Sequence, residues 1–588
     1  MYLWKRSPLI VLLFLFCGLW SQAAFASDDL LSHASWTVIG SPENVSLRIV
    51  QAAGLPGGAL EEMQVVVKAA VKPFYGAQIT APLAQAPKAG DRIRYRFWGR
   101  AASGNPIRAV VEMQSDPWTS LVGERVVLTP QWKEFVMSGE VGSELNSPLA
   151  ARFQVGEQAG TLEFAGVRVE DLGPDPAMAA AERAAAPQAV AARIRRYRMG
   201  TLTVQVKDAK GKAVKNARVK MHMKRHAFLF GSNIFELRPE DNSPDQIRYR
   251  TQFANLFNYA TLPFYWGSFE SSKGQPTYER LDAMADWCLA HRITPKGHPL
   301  VWHEVYPSWA PAEPDATVPL LHARATDIVS HYQSRIHYWD VINEATAAQY
   351  YSPANGESRW IVRDGAPSVV ETALGWARKA GAGVPETFLY NDYNTGPANV
   401  ALLSQMQKDK ALPDAIGVQS HMHEGVWPMA KVWNVCDTFA QFGRPLHFTE
   451  TTVLSAAKTN GGWAPATVET EKAQADYVEK FYSLLFSHPS LRAITWWDFS
   501  DVGAWQNAPA GLIRKDMTPK PAYDRLLKLI KHDWWTDASG ASDKGGQYSA
   551  QAFYGDYTVT ATVGGRSVTS KVWFPEGAGR KTVTLTLR

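Results

Sequence analysis

The chain has 588 residues, more than a single hydrophobic core normally holds, so we expect three or more domains. The formal net charge is only +5 and no long run of Lys or Arg is present, so nucleic acid is not an expected partner. The chain has 22 Trp residues, an unusually large number. Part of them can fill a core, but flat indole rings also pack on the apolar faces of sugars.

The N-terminus has the pattern of a signal peptide. A basic pair is followed by an apolar stretch over 9–20 and by small residues at Ala24 and Ala26. The apolar stretch is short for a membrane span. We therefore expect residues 1–26 to be removed, leaving a secreted or periplasmic protein that has no membrane partner.

Residues 27–172 consist of short stretches of alternating polarity, such as 92–97 and 109–113, separated by turn residues. This pattern predicts a β-sandwich. The region resembles the jelly-roll carbohydrate-binding modules that often precede xylanases, and its Trp residues are Trp36, Trp98, Trp118 and Trp132. The alternative is a structural domain that holds all four in its core.

Two separate segments share a second β pattern. Residues 173–198 are rich in Pro and Ala and predict a partly helical linker. Residues 199–224 then alternate around a hairpin turn, and residues 536–588 alternate in the same way. Neither segment has enough strands to bury a core alone, so we predict that they pair into one small accessory β domain, split by the sequence between them. The alternative is two unrelated appendages.

Residues 225–535 alternate short apolar strands with amphipathic helices such as 278–291. Repeated βα units over some three hundred residues predict a (β/α)8 TIM barrel as the catalytic domain of a multidomain protein. The strand candidates are Thr294–His303, Ile336–Glu344, Thr387–Asp392, Ala415–His421, Pro445–Glu450 and Arg492–Trp497.

Two of these predicted strands end in glutamate. Glu344 ends one apolar strand and Glu450 ends another, and the carboxyl ends of barrel strands meet at one face. Hydrolysis of a glycosidic bond needs two carboxyl groups, one to protonate the leaving oxygen and one to attack or to activate water. Each glutamate alone is explained as well by a salt bridge, but the pair in this context favours catalysis.

Several segments, taken in order, resemble glycoside hydrolase family 10, whose members are mainly endo-1,4-β-xylanases. The matching segments are Gly297–His303, Trp339–Ala345, Leu389–Asn394, Gly417–His421, Thr449–Glu450, Ile494–Trp497 with Trp505, and Pro519–Tyr523. The resemblance covers roughly half of the chain. It implies a retaining enzyme with Glu344 as the acid/base at the end of strand four and Glu450 as the nucleophile at the end of strand seven.

The resemblance also implies a set of substrate-binding residues around the cleaved bond of a xylan-type β-glycan. They are His303, Asn343, Gln419, His421, Trp497, Trp505 and Trp266. No cofactor is implied, and we expect a monomer. The histidines do not have the tight spacing of metal ligands, so no metal is expected. Cys288 and Cys436 lie among apolar neighbours and are predicted to be buried free thiols.

The chain departs from the family on what we take to be the first barrel strand. Family members carry Glu-Asn and then Lys-Trp there, where this chain has Thr261, Leu262 and Tyr265, unless Asn258 or Lys273 fills the role. A Ser that follows the family's His is Glu304 here. The departures weaken the substrate assignment. They leave open another β-glycan, a small plant β-glycoside, or a non-catalytic carbohydrate-binding protein.

Overall fold

The computed structural model describes residues 28–588 apart from 33, 89, 116–117, 142–146 and 460–461, so the predicted signal peptide lies outside the described residues. The chain divides between Ala179 and Ala180 into two compact units. Each unit has its own buried hydrophobic core. Among the described residues, no helix is both long and apolar enough to cross a lipid bilayer.

The first unit is the predicted β-sandwich. Its strands are β1 (Asp28–Asp29), β2 (Thr37–Gly40), β3 (Val45–Gln51), β4 (Glu61–Val67), β5 (Ala77–Pro82), β6 (Asp91–Ala101), β7 (Pro106–Met113), β8 (Ser120–Val127), β9 (Lys133–Glu140), β10 (Leu149–Gln154) and β11 (Gly160–Pro174). One antiparallel sheet has the order β3-β4-β11-β6-β9, with β1 on β11, and the other has the order β2-β5-β10-β7-β8. Alternate residues of β6 are buried, as the sequence pattern predicts.

Aromatic rings fill the space between the two sheets. The ring centroids of Phe153 and Phe164 lie 4.2 Å apart, and Trp36 stacks on Phe153 at 5.6 Å. Trp118 is different, because it is 49% exposed and its ring lies 5.2 Å from the guanidinium carbon of Arg152. The alternative that all four Trp residues belong to the core is therefore wrong for Trp118.

Two helices join the sandwich to the second unit: α1 (Pro176–Ala185) and α2 (Pro187–Arg198). The region predicted as a partly helical linker, 173–198, contains both of these helices. Arg198 is buried and donates hydrogen bonds to the carbonyls of Phe486 and Leu491. Burying a guanidinium group is costly, and these hydrogen bonds offset the cost because they hold Arg198 in a fixed position. Helix α2 is therefore an integral part of the second unit.

A closed barrel of eight parallel strands follows two accessory strands, β12 (Met199–Asp208) and β13 (Arg218–His226). The barrel strands are β14 (Leu229–Asn233), β15 (Tyr259–Pro263), β16 (Thr294–His298), β17 (Tyr338–Asn343), β18 (Thr387–Asp392), β19 (Ala415–His421), β20 (Leu446–Thr452) and, after the small hairpin β21 (Lys458–Thr459) and β22 (Gly462–Trp463), β23 (Leu491–Trp496). The predicted barrel is confirmed, with one correction: the first strand is β14, so the stretch around Thr261 belongs to the second.

Helices surround the barrel. They are α3 (Pro244–Leu256), α4 (Trp266–Phe269), α5 (Tyr278–Ala290), α6 (Pro314–Tyr332), α7 (Gly356–Asp364), α8 (Ala366–Ala380), α9 (Pro397–Lys408), α10 (Met429–Ala440), α11 (Val468–Ser487) and α12 (Pro521–Lys528), with a π-helical turn at Leu529–Asp533. Cys288 on α5 and Cys436 on α10 are free and buried, which confirms the prediction for both thiols.

The C-terminal strands return to the accessory strands. They are β24 (Asp537–Ala541), β25 (Gln547–Phe553), β26 (Gly555–Val563), β27 (Arg566–Phe574) and β28 (Arg580–Leu587). Strand β12 lies between β25 and β28, and β13 lies between β24 and β26. The predicted pairing of the two distant segments is confirmed. Their buried residues form one continuous cluster with the barrel core.

Candidate active site

The carboxyl ends of the barrel strands surround one cleft with a volume of about 650 Å³. In barrels of this kind the strand ends carry the chemistry. The cleft is lined by Asn233, Phe235, Tyr265, His298, Trp302, Glu304, Val305, Asn343, Glu344, Tyr393, Gln419, His421, Trp427, Glu450, Trp497, Asp498, Gly503 and Trp505. Seven of the nine predicted site residues are among them; His303 and Trp266 are not.

Glu344 directly follows β17, the fourth barrel strand, and has a left-handed backbone with φ of +57°. This strained conformation is held by its own amide, which donates to the Asn391 carbonyl at 2.8 Å. Its carboxylate is 9% exposed and accepts hydrogen bonds from Trp302 Nε1 at 3.2 Å and Gln419 Nε2 at 2.8 Å. Burial raises the pKa of Glu344 to about 8, and the charge of Glu450 adds to the shift.

Glu450 lies within β20, the seventh barrel strand, and is 3% exposed. Asn391 Nδ2 donates to its Oε1 at 2.7 Å, and His421 Nε2 lies 3.0 Å from its Oε2. His298 Nε2 is a more distant neighbour, at 3.8 Å from Oε1. Both oxygens of the carboxylate therefore have polar partners, which fix its position in the cleft.

A chain of side-chain amides connects the two glutamates. Asn391 Nδ2 donates both to Glu450 and to Asn343 Oδ1, the latter at 2.8 Å, and Asn343 Nδ2 donates to Glu344 Oε1 at 3.1 Å. A Cβ atom on the neighbouring Gly417 would lie 2.5 Å from Asn391 Oδ1, so only glycine leaves room for that amide. The sequence pattern placed Asn391 at a strand end without a role; the structure makes it the link between the carboxylates.

A buried ion pair lies beneath the cleft. Asp340 Oδ2 accepts from Lys296 Nζ at 2.6 Å and lies 2.8 Å from His298 Nδ1. Burial acts to raise the pKa of Asp340, but Lys296 and His298 outweigh it and the net pKa is lowered. The ion pair therefore fixes the imidazole of His298, whose other nitrogen faces Glu450.

Aromatic rings form the walls of the cleft. Trp497 is buried, with its ring edge-on to both His298 and His421. Trp505 is 47% exposed and its ring centroid lies 4.8 Å from that of His421. Tyr265 lies against Trp302 at 5.5 Å. These flat surfaces match the apolar faces of sugar rings.

The structure does not bring two of the predicted sugar-binding residues to the cleft. Trp266 begins α4, where the chain turns away from the barrel axis. It is buried between Tyr306 and Trp309, and its Nε1 donates to Glu270. His303 is 1% exposed and is not part of the cleft lining, although one of its ring nitrogens lies within 4.8 Å of the Glu344 carboxylate.

One group of side chains among the described residues could hold a metal ion. The ligand atoms of His303, Glu304 and Glu344 lie within 4.8 Å of one another. The sequence did not predict this group because Glu304 was noted only as a departure from the family. Glu304 and Asp498 both directly follow predicted site residues, so the same strand-end rule could have found them.

The comparisons with known proteins agree with this geometry. The model of glycosyl hydrolase family 10 matches residues 219–529, just over half of the chain. The chain belongs to glycosyl hydrolase family 10. The matched region of this family member contains the whole barrel and every residue that lines the cleft.

The curated relatives of this family 10 member are distant. The anti-sigma-I factor RsgI6 of Acetivibrio thermocellus is 26% identical over 382 residues, which are 64% of this chain and 46% of that protein. Endo-1,4-beta-xylanase B of Thermotoga neapolitana is 27% identical over 323 residues, 52% of this chain and 88% of that protein. The chain thus spans less than half the length of the first of these relatives.

A solved structure similar to this chain is xylanase 10B from Thermotoga petrophila RKU-1 in complex with xylobiose. It is 22% identical and has a TM-score of 0.44. The similarity covers 52% of this chain and 95% of the xylanase.

Proposed function

We propose that this protein is a retaining glycoside hydrolase that cleaves β-1,4-linked xylan or a related plant hemicellulose by double displacement, with Glu344 as acid/base and Glu450 as nucleophile. The observation that carries the proposal is the contrast between the two carboxyl groups. Burial raises the pKa of Glu344 to about 8, so Glu344 is protonated at neutral pH. Glu450 accepts a hydrogen bond from Asn391 and lies 3.0 Å from His421 Nε2, so both of its carboxylate oxygens have a polar partner.

In the first step, Glu344 protonates the glycosidic oxygen while Glu450 attacks the anomeric carbon, and the bond between that carbon and the leaving oxygen breaks. A covalent glycosyl-enzyme remains. In the second step, ionised Glu344 takes a proton from water, the water oxygen bonds to the anomeric carbon, and Glu450 is released. The amide chain through Asn343 and Asn391 supports this cycle, because it bonds to both carboxylates and holds their relative positions.

Retention requires the two carboxyl groups to lie about 5–5.5 Å apart, which is our prediction for Glu344 and Glu450. The stereochemistry is tested by proton NMR of a fresh digest, where the first product should have the β configuration. An initial α product would replace this mechanism by the inverting one, in which the second carboxylate activates water.

The substrate is tested by measuring the release of reducing sugar from a panel of polysaccharides. We expect β-1,4-xylan to be cleaved, with Glu450→Gln as the inactive control.

A second candidate substrate is another β-glycan or a small plant β-glycoside, and Tyr265 favours this candidate. Of the three departures around β15, Tyr265 lines the cleft, whereas Thr261 and Leu262 are fully buried within the strand.

Neither alternative polar residue supports an ordinary family subsite near Tyr265. Asn258 is buried and bonded to the backbone of Phe228 and Phe230. Lys273 lies at a separate cavity with Trp266. If β-glucan is cleaved faster than xylan, the second candidate replaces the first. If no glycan is cleaved but several are bound, the protein is a carbohydrate-binding member of its family.

The β-sandwich is proposed to bind glycan chains. Trp118 is half exposed on the outer face of the second sheet, beside Arg152 and the buried ion pair of Arg152 with Glu112. Calorimetry on full-length Glu450→Gln protein should show binding of soluble oligosaccharides prepared from the glycan. Adding the Trp118→Ala substitution should weaken this binding about 3–10-fold. Trp132→Ala is the matched control, since Trp132 packs under Arg100 of the other sheet. Equal effects of both variants would argue against a site at Trp118.

Export is also a proposal, supported by the composition of residues 1–26. N-terminal sequencing of the protein from its native host should begin at Ser27. A product that retains the apolar stretch over 9–20 would contradict cleavage.

A further inference from the structure

The cleft holds more carboxyl groups than the proposed reaction uses. Besides Glu344 and Glu450, Glu304 and Asp498 also line it. They lie on opposite sides: Glu304 follows the third barrel strand and shares the side of Glu344, while Asp498 follows the eighth strand and shares the side of Glu450.

Asp498 is a buried carboxylate with an unused oxygen. Its side chain is 5% exposed, and its Oδ1 accepts from the backbone amide of Trp505 at 3.1 Å. Its Oδ2 is buried and has no hydrogen-bond partner, and among the described residues no Lys or Arg nitrogen lies within 4 Å of it. A buried carboxylate without a counter-ion is costly unless a ligand supplies a donor.

Glu304 adds a second charge at the other end of the carboxylate pair. It is exposed to solvent, and one of its oxygens lies within 4.8 Å of the carboxylate of Glu344. Its charge acts on Glu344, because it is one of the groups that raise the pKa of that residue. An anion that approached the cleavage point would meet Glu304 on one side and Asp498 on the other.

The basic side chains of the described cleft lining are two histidines, His298 and His421, and both lie next to Glu450. Among the described residues that line the cleft there is neither Lys nor Arg. Lys296, beneath the floor, is fully buried and already bonded to Asp340 at 2.6 Å. The cleft is therefore acidic, within walls that are otherwise aromatic and amide.

We propose that the carboxylates of Glu304 and Asp498 make this cleft selective for uncharged glycan segments and exclude a carboxylated sugar, such as a uronic acid branch, next to the cleavage point. The inference rests on the proposed function and narrows its substrate class. Like charges placed together within a low-dielectric cleft disfavour binding of the anionic partner, while neutral hydroxyl groups can donate to the same carboxylates. A buried acceptor such as Asp498 Oδ2 is well suited to a sugar hydroxyl.

The test compares two xylo-oligosaccharides of equal size. Both carry one glucuronic acid branch, in one with a free carboxylate and in the other with that carboxylate methyl-esterified, and a linear oligosaccharide is the reference. At pH 7.5 we expect kcat/KM for the free acid to be about 10–100-fold below that of the ester. Added salt should narrow the gap. Equal kcat/KM values for the acid and the ester would overturn the proposal, because any discrimination against both would then come from the size of the branch.

Variants identify the residues responsible. Glu304→Gln and Asp498→Asn keep the shape of each side chain, and the amide oxygen that the second substitution introduces can still accept from Trp505. Each variant should therefore bring the acid-to-ester ratio closer to one. Glu371→Gln, an exposed acid on α8 outside the cleft, is the matched control and should leave the ratio unchanged. A ratio that responds equally to all three variants contradicts a local effect.

Calorimetry on Glu450→Gln protein measures the same preference without turnover. The esterified oligosaccharide should bind about 10-fold more tightly than the free acid, and equal affinities would overturn the inference. Failure of the proposed function gives a different result. In that case the protein without substitutions would release no reducing sugar from linear xylan, whichever branched oligosaccharide it binds more tightly.

Discussion

The two glutamates on opposite sides of the cleft lie in different surroundings. Glu344, on the side of strands three and four, is buried near other carboxylates, and its pKa is raised to about 8. Glu450, on the side of strands six to eight, has Asn391 and His421 as its neighbours. Because both glutamates are buried, burial alone does not assign a role to a carboxyl group. The donors and charges around it separate an acid from a nucleophile.

The two sides also differ in what holds them. Near Glu450, the ring of His298 from strand three is fixed by the buried pair of Lys296 and Asp340, and its Nε2 lies 3.8 Å from Glu450 Oε1. On the other side, Glu344 has a left-handed backbone conformation, which is held by a hydrogen bond from its backbone amide to the Asn391 carbonyl. The proposed acid/base thus lies at a strained strand end, whereas the proposed nucleophile lies in β20 where the pairing with both neighbouring strands shifts register.

The largest effect should come from removing the nucleophile. Glu450→Ala deletes the atom that attacks the anomeric carbon, so we expect kcat on xylan to fall by at least about 10⁴-fold. Added azide should restore turnover and give an α-glycosyl azide, because the anion enters from the side of Glu450. A β-azide product would mean that Glu450 is instead the acid/base.

Removing the acid should cost less and depend on the leaving group. Glu344→Ala is expected to lower kcat/KM on xylan by about 10²–10⁴-fold. On an aryl glycoside whose phenol leaves without protonation, the loss in the first step should be much smaller. Equal losses on both substrates would show that Glu344 does not protonate the leaving oxygen, and the contrast between the two sides would disappear.

The sequence predicted most of these cleft residues from the ends of the barrel strands. Glu344, Glu450, Asn343, Gln419 and His421 each lie within the last three residues of a barrel strand or directly after it, and the structure places all five at the cleft. The rule succeeds because parallel strands that close into a barrel bring their carboxyl ends to one face, whatever the helices between them do.

The same rule fails where the chain leaves the strand. Trp266 follows the second strand by only a few residues, but α4 begins there and turns it into the protein. The first strand, Leu229–Asn233, was not among the strands predicted from the sequence. The raised pKa of Glu344 could not be predicted either, since it depends on burial and on charges that the fold brings close to it, such as Glu450 and Glu304.

A smaller effect is expected from a neighbour of the nucleophile. His421 Nε2 lies 3.0 Å from Glu450 Oε2, and a hydrogen bond to a charged group is worth about 1.5–3 kcal/mol. His421→Ala should therefore lower kcat/KM by roughly 10–100-fold. The matched control is His423→Ala, two residues along, because neither ring nitrogen of His423 has a hydrogen-bond partner among the described residues. Similar losses in both variants would point to the stability of the loop rather than to Glu450.

The smallest effect concerns the pH dependence that separates the two sides. Because the acid must be protonated, kcat/KM should be constant below the pKa of Glu344 and fall as the pH rises through about 8. Burial and Glu450 are the main causes of that raised pKa, and the charge of Glu304 is a lesser one. Glu304→Gln should therefore move the alkaline limb to lower pH by less than about one unit, a several-fold loss above pH 8 with none near pH 6. The full profile of kcat/KM on a neutral oligosaccharide measures this shift. A limb that stays in place would separate Glu304 from the acid, and a limb that moves to higher pH would reverse the sign of the interaction.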